Sequence, residues 1–371
     1  MHDEKIVFHD TANDGHRFIY NYTVMSNLKG KEIHYYSPLD DELQKNELKS
    51  KSINIIDTDK KKAIHPLLSR VRDLFELSRY CKKNKIKRIF FFNLDSVILP
   101  LVLLFPLFIN KEVSGTLHWF PGRSLKQKVF MALINFKVIN KVIVHGHYTY
   151  NSIISANNKM TDDLLKNINY PNLHDNKNEV NASSTLNNYA KPVLLAFGGT
   201  RFDKGLDILL QALQHINKQD FTLIIAGKAE DFSENDIEQM INEYGLNGRV
   251  IPRLGYVNDN DVVQYFSSAD IVVLPYRKIF TGQSGPLTEG IMNNKFIIGP
   301  SHGEIGFTIK SYGLGDVFES ENIESLTSVL LNTLQNFKDL NEKNFDNQQY
   351  YKQLISKESF IEEYRSFFKV N

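Results

Sequence analysis

The chain has one cysteine, Cys81, in 371 residues. That excludes an internal disulfide and a cysteine-rich zinc site, and it fits a reducing cytoplasm. A membrane-spanning run is lacking too. The longest apolar stretch, "SVILPLVLLFPLFI" from Ser96 to Ile109, has 14 residues and two prolines. A transmembrane helix needs about 20, so a buried helix or an interfacial segment is expected. The opening "MHDEKIVFHD" has no basic n-region and no apolar h-region, so no secretory signal is read there. Basic residues are scattered and no known nucleic-acid motif accompanies them, which makes nucleic acid a poor candidate partner. No internal repeat occurs, and the only biased tract is rich in Asn.

What is present is ordinary for a globular protein: 42% hydrophobic and 23% charged residues. The length exceeds one comfortable hydrophobic core, so two domains are expected. The net charge of +1 hides an asymmetry. Residues 1–185 carry 27 Lys+Arg and 19 Asp+Glu, which is +8; the remainder carry 17 and 24, which is −7. Chance variation between halves is one account. A basic half that faces something anionic is the other.

Short β-branched and aromatic runs alternate with helix-like stretches. In the first half the expected strands are "KIVFHD", "EIHYYS", "SINIID", "RIFFFN", "VSGTLHWF" and "KVIVHG". Between them, "HPLLSRVRDLFELSRYCKKN" places Leu67, Leu68, Val71, Leu74, Phe75 and Leu77 at helical spacing before a basic last turn. Residues 171–190 turn polar and read as a linker. The second half repeats the rhythm with strands "PVLLAFGG", "FTLIIAG", "RVIPRLGY", "DIVVLP" and "KFIIGP". "GLDILLQALQHI" puts Leu206, Leu209, Leu210, Leu213 and Ile216 on one helical face. The expected organisation is an α/β chain: a Rossmann-like domain over 1–170, the linker, a second Rossmann-like domain over 191–352, and a C-terminal helix over 353–371 that packs back on the first. Such parallel sheets bind ligands beyond the carboxyl ends of their strands, and a cleft between the domains is the natural place.

The most informative piece is "LLAFGGTRFDKGLDILLQAL". A strand ends in Gly198-Gly199, Arg201 and Lys204 follow, and Gly205 opens an amphipathic helix. Two cations beside a helix N-terminus suit a diphosphate; a solvated turn with incidental charges is the alternative. The spacing matches neither the dinucleotide nor the P-loop fingerprint. Further on, "YRKIFTGQSGPLTEGIMNNKFII" gathers Thr281, Gly282, Gln283, Ser284 and Gly285 between a strand and a helix carrying a single acid, Glu289. Glycine and serine clustered there mean a backbone that comes close to a ligand. Two metal-like signals are discounted. Asp259–Asp261 precedes a helix, where acids serve as N-cap residues. His145–His147 lacks a third ligand at useful spacing and closes a strand.

The order of these pieces, FG-x-x-R-x-x-KG, then "LGYV" before a helix, then "ADIVVLPY", then the Ser-Gly loop and Glu289, resembles the C-terminal domain of GT-B glycosyltransferases in the retaining family four (glycosyl transferases group 1). The resemblance is strong over about residues 190–310 and rests on general layout elsewhere. It implies a sugar transfer from a nucleotide-sugar, UDP-linked by expectation, to a hydroxyl of a glycan or lipid-linked saccharide, with retention and without a metal or other cofactor. Arg201, Lys204, Gly199, Ser284, Gly285 and Gly15 would hold the diphosphate, Glu289 the ribose, and Tyr256 and Val257 the base side. The family's first glutamate falls on Thr281, eight positions before Glu289, so Thr281 and Gln283 would recognise the transferred sugar. His118 would be the catalytic residue near the donor sugar. An epimerase of the same fold and a non-catalytic nucleotide-sugar-binding subunit are the alternatives. A cytoplasmic location, peripheral at the inner membrane face, is the matching expectation.

Overall fold

The computed structural model describes residues 4–13, 16–58, 65–120, 125–157, 160–161, 163–173, 189–216 and 220–369. Most of the expected linker, and Gly15, lie outside them. The chain divides into two compact units, one formed by 1–169 with 358–371 and the other by 170–357.

The first unit is a seven-stranded, all-parallel sheet. Its strands are β1 (Glu4–His9), β2 (Lys31–Ser37), β3 (Asn54–Asp57), β4 (Arg88–Phe91), β5 (Glu112–Leu117), β6 (Lys141–Val144) and β7 (Leu165–Asn167), in the order β3-β2-β1-β4-β5-β6-β7. Both faces are covered, as an all-parallel sheet requires. On one face Leu74, Leu77 and Cys81 pack with Leu94, Leu101, Phe108, Phe130 and Ile153. The other face is aromatic. The helix Lys357–Phe368 lays Phe368 against Phe8 and Phe90, with ring centroids 5.4 and 5.3 Å apart.

Two helical readings need correction. In the helix Pro66–Lys83 the buried stripe is Leu74, Leu77, Ser78 and Cys81, while Leu68 and Phe75 are exposed. The Ser96–Ile109 run is not one buried helix. It forms a short helix, Ile98–Leu103, and a single 3-10 turn, Phe105–Leu107. Pro100 sits in the helix's first turn, where its missing N–H costs nothing, while Pro106 lacks the N–H that would continue the helix. Ile98, Leu101 and Phe108 are buried; Leu99, Val102, Leu103, Phe105, Leu107 and Ile109 are exposed. Among the described residues no helix is long and apolar enough to cross a membrane.

The second unit is a six-stranded parallel sheet: β8 (Val193–Phe197), β9 (Thr222–Gly227), β10 (Val250–Leu254), β11 (Ile271–Val273), β12 (Phe296–Pro300) and β13 (Gly315–Phe318), in the order β10-β9-β8-β11-β12-β13. Its cores are mostly aliphatic. The helix Leu206–Leu213 buries Leu206, Leu209, Leu210 and Leu213 against Leu223, Ile225, Phe296 and Leu330.

Candidate functional site

In the second unit the loops beyond β8, β11 and β12 converge because these three strands are adjacent and parallel. After β8 the chain turns through Gly198 and Gly199 into the short 3-10 turn Phe202–Lys204 and then the helix Leu206–Leu213. Gly205 makes this entry possible. Its φ is +65°, and a Cβ there would stand 2.1 Å from the Pro275 carbonyl oxygen. Only glycine lets the helix start press on the end of β11.

Three cations stand around this turn, each held differently. Arg201 donates Nε–H to Asp203 Oδ1 at 2.9 Å and its Nη2 to the other carboxylate oxygen. That hydrogen bond is the main reason the Asp203 carboxyl is held below its usual range. Arg277 is buried and bidentate on Asp207 at 3.0 and 2.6 Å, with its guanidinium 3.8 Å from the Phe202 ring centre. Lys204 makes no ion pair among the described residues; its Nζ lies 3.8 Å from the Tyr276 ring centre and 4.0 Å from that of Phe280.

Tyr276 also reaches the glycine-serine loop, with its hydroxyl 3.2 Å from Ser284 Oγ. Ser284 stands at the N-cap of the helix Gly285–Met292, and Glu289 is buried within that helix. Gly199, Lys204 and Tyr276 thus line one hollow beyond β8, Tyr276 links it to Ser284 and so to the start of the helix at Gly285, and Arg201 stands in the same turn. Thr281 is tied to the start of the helix that follows β12, Gly303–Tyr312: Glu304 N–H donates to its carbonyl at 3.1 Å, and a Cβ on Gly303 would stand 3.0 Å from Thr281 Cα. Gln283 is half-buried in the same loop. Tyr256 and Val257 follow β10 at the sheet edge, with Tyr256 84% exposed and Val257 half-buried. The cap of the helix Asp259–Ser268 is Asn258, one position before the acids read as caps; its Nδ2 donates to Asp261 at 3.2 Å.

In the first unit His118 is exposed just past β5. Asp95 fixes the local backbone by accepting the N–H groups of His118 and Trp119 at 2.8 and 3.1 Å. The His118 Nε2–H donates to the Phe92 carbonyl at 2.9 Å. In the neutral ring Nδ1 then carries the lone pair. Beside it, His145 is buried rather than a metal-like signal, with the two ring centres 5.6 Å apart. Its Nδ1–H donates to the Ile168 carbonyl at 2.8 Å. Burial lowers its pKa to about 3, so Nε2 accepts from the Tyr20 hydroxyl at 2.8 Å. One proton per hydroxyl then sets the direction of the rest. Tyr20 accepts from Tyr364, and Tyr364 accepts from Thr116 at 3.0 Å.

Sequence reasoning missed Tyr276 and Phe280. Their signal was two aromatics four residues apart flanking Arg277 and Lys278. It also missed Tyr20, Thr116 and Tyr364, which no local pattern joins.

Residues 191–336 match the family model described as Glycosyl transferases group 1. No curated protein matches the chain in sequence. Among solved structures, the chain is similar to Anabaena HepE in complex with UDP and glucose, at 15% identity and a TM-score of 0.73 over 99% of both chains. It is similar to sucrose-phosphate synthase from Thermosynechococcus elongatus at 16% identity and a TM-score of 0.71, covering 99% of this chain and 100% of that one. A glycosyltransferase from Rickettsia africae aligns over 100% of both chains at 17% identity and a TM-score of 0.68. At these identities what is shared is the fold.

Proposed function

We propose that this chain, which has the GT-B fold and matches the Glycosyl transferases group 1 model over residues 191–336, is a glycosyltransferase that moves a sugar from a UDP-linked donor to a hydroxyl of a glycan or lipid-linked saccharide, with retention. The observation that carries the donor half is the anion-ready turn after β8. Lys204 has no carboxylate partner among the described residues, Arg201 stands beside it, and Ser284-Gly285 opens the adjacent helix. The UDP named in the HepE structure supports the choice of nucleotide.

In this reading Arg201, Lys204 and the N–H groups at the start of the helix Gly285–Met292 bind the diphosphate. Glu289 takes the ribose hydroxyls, and Tyr256 and Val257 flank the base. Thr281 and Gln283 face the transferred sugar. The acceptor oxygen attacks the anomeric carbon as the bond to the phosphate oxygen breaks, and that oxygen takes the acceptor proton. The products are a glycoside and UDP. The protein's share is to stabilise charge growing on the diphosphate and to align the reactants. His118 Nδ1, in the neutral ring, can accept a hydrogen bond from a hydroxyl.

The experiment is a panel of nucleotide-sugars scored by thermal stabilisation, because a bound donor raises the melting temperature by mass action. It is followed by turnover with and without acceptor. Stabilisation by no UDP-sugar would remove the donor assignment. Epimerisation of the donor without acceptor would replace transfer by the epimerase reading, and donor binding with no turnover on any acceptor would leave the binding-subunit reading.

Peripheral attachment at the inner membrane face belongs to the same proposal. Leu103 and Ile109 are 62% and 55% exposed in the Ser96–Ile109 segment. Lys111 Nζ ties the end of that segment to the Ile86 carbonyl at 2.6 Å, between the exposed Lys85 and Lys87. An apolar ridge bordered by cations suits an anionic lipid surface. Sedimentation with anionic vesicles at two salt concentrations tests this. Protein that stays in the supernatant at low salt points to a soluble acceptor instead.

A further inference from the structure

Of the three cations at the turn after β8, two are neutralised by internal carboxylates, Arg201 by Asp203 and Arg277 by Asp207. Lys204 is the exception. It is half-buried, where a charge is costly. The Asp203 carboxylate feels its charge, but among the described residues it makes no ion pair, and what meets its ammonium is two ring faces. Tyr276 and Phe280 stand with centroids 4.8 Å apart and planes at 77°, so one ammonium sits over both. Ring faces attract a cation without cancelling its charge. A carboxylate at the same place would have spent that charge on an internal pair.

From this we infer that Tyr276 and Phe280 form an aromatic cage that positions Lys204 for an anionic ligand. The two rings hold the flexible side chain in place and keep its full charge available. Their own positions are built in. Tyr276 is buried, its carbonyl accepts from Ser320 Oγ at 2.7 Å, and Phe280 N–H donates to the Arg277 carbonyl at 2.9 Å. The Tyr276 hydroxyl beside Ser284 links the cage to the glycine-serine loop. Both are positioning residues. The inference rests on the reading of Lys204 as a diphosphate ligand and adds what makes that lysine effective.

A double-mutant cycle on the full chain tests it, with UDP and uridine as calorimetric probes. Phe280→Leu and Tyr276→Leu should each weaken UDP three- to tenfold and leave uridine unchanged. In a Lys204→Met background the same changes should alter UDP affinity less than twofold. Phe280→Tyr keeps a ring face and should restore UDP affinity to within twofold of the parent, as should Tyr276→Phe. Phe280 is the less buried of the two, so its variants serve if Tyr276→Leu does not fold. A loss on Phe280→Leu that persists unchanged without Lys204 would overturn the cage and reduce both rings to packing. An unchanged UDP affinity in Phe280→Leu would do the same. If Lys204→Met itself leaves UDP affinity intact, the diphosphate reading fails along with the cage. That outcome is distinct from one in which Lys204 matters and the rings do not.

Discussion

Beyond β5, His118 stands over a chain of buried neutral groups, Thr116, Tyr364, Tyr20 and His145, whose protons all point one way. Around the turn beyond β8 stand three cations, Arg201 and Arg277 on carboxylates and Lys204 on two ring faces. The two units share a layout of parallel strands flanked by helices, and their strand ends solve different problems. The second unit needs fixed charge close to solvent, so it uses glycines for close approach and ion pairs to hold geometry. The first unit buries its polar groups, so each must find a partner or be neutral, since an unpaired buried group costs about 1–3 kcal/mol. The second unit should therefore answer to salt and charge substitution, and the first to pH and to the loss of single hydroxyls.

The largest expected effect comes from acid. Burial lowers the pKa of His145 to about 3 and that of His9 to about 4, and it lowers that of His34 as well. All three lie in the first unit. Above pH about 6.5 both folded and unfolded chains hold them neutral. Below it the unfolded chain gains protons that the folded one refuses, so stability falls as pH falls. At pH 5, His145 and His9 together cost the first unit about 4 kcal/mol. Asp10 works against this, because burial raises its pKa and the folded form takes its proton early. In the second unit Asp203 has a lowered pKa, so the stability of its pair is lost only as pH falls below about 4. The sole tryptophan, Trp119, lies in the first unit. In an acid titration its fluorescence should change at a higher pH than that at which UDP binding is lost. Coincident loss of both below pH 4 would erase the contrast.

Next come the cations. Lys204→Met should weaken UDP by about 2–3 kcal/mol, the value of a charge-assisted hydrogen bond. Arg201→Ala should cost less, about 1–2 kcal/mol, because Arg201 must loosen its Asp203 pair to serve a phosphate. His118→Ala should leave UDP affinity unchanged while lowering turnover. Titration calorimetry of the three variants ranks them, and equal losses for Lys204 and Arg201 would mean the Asp203 pair does not restrain the arginine.

How much of this was legible in the sequence follows the same divide. Eleven of the strands are apolar enough to be read directly. β7, with sequence Leu165-Lys166-Asn167, and β13, Gly315 to Phe318, are short edge strands whose pairing comes from their neighbours rather than from pattern. The diphosphate turn was legible because close backbone approach demands glycine, and anions demand cations next to it in the chain. The buried network was not, because Tyr20 and Tyr364 are 344 positions apart and meet only through the sheet. Of the two readings of the Ser96–Ile109 run, the buried helix failed because apolar composition predicts burial, whereas Pro106 ends the helix Ile98–Leu103 and leaves pieces too short to bury every face.

Removal of one hydroxyl should separate the units again. Tyr364→Phe keeps the ring that packs against Phe90 and Phe360 but strips the link between Tyr20 and Thr116. The first unit should lose about 1–2 kcal/mol in urea unfolding, since the Tyr20 oxygen and Thr116 hydroxyl stay buried without it. UDP affinity should not move. A Tyr364→Phe variant as stable as the parent would show that Tyr20 and Thr116 find other partners.

The smallest effect sharpens the comparison inside the second unit. Thr281 and Glu289 lie on one segment, and only their burial and chemistry separate them. Glu289 is buried in the helix, and its carboxylate can take two hydroxyls of a ribose at once. Thr281 is half-buried, and its backbone is pinned to the start of the helix Gly303–Tyr312 through the Glu304 N–H. A neutral hydroxyl here can make one ordinary hydrogen bond to a sugar, about 0.5–1.5 kcal/mol. Because the backbone contacts hold the loop, Thr281→Ala should keep its shape. UDP affinity should then stay within twofold, while the preference for the intact sugar donor over UDP drops by about 1 kcal/mol. Glu289→Ala should instead weaken UDP itself. If Thr281→Ala weakens UDP as much as Glu289→Ala does, Thr281 belongs with the nucleotide and the alignment of this loop to the family's two acids is wrong. If it changes neither ligand, the sugar is recognised elsewhere, and Gln283 is the next residue to replace.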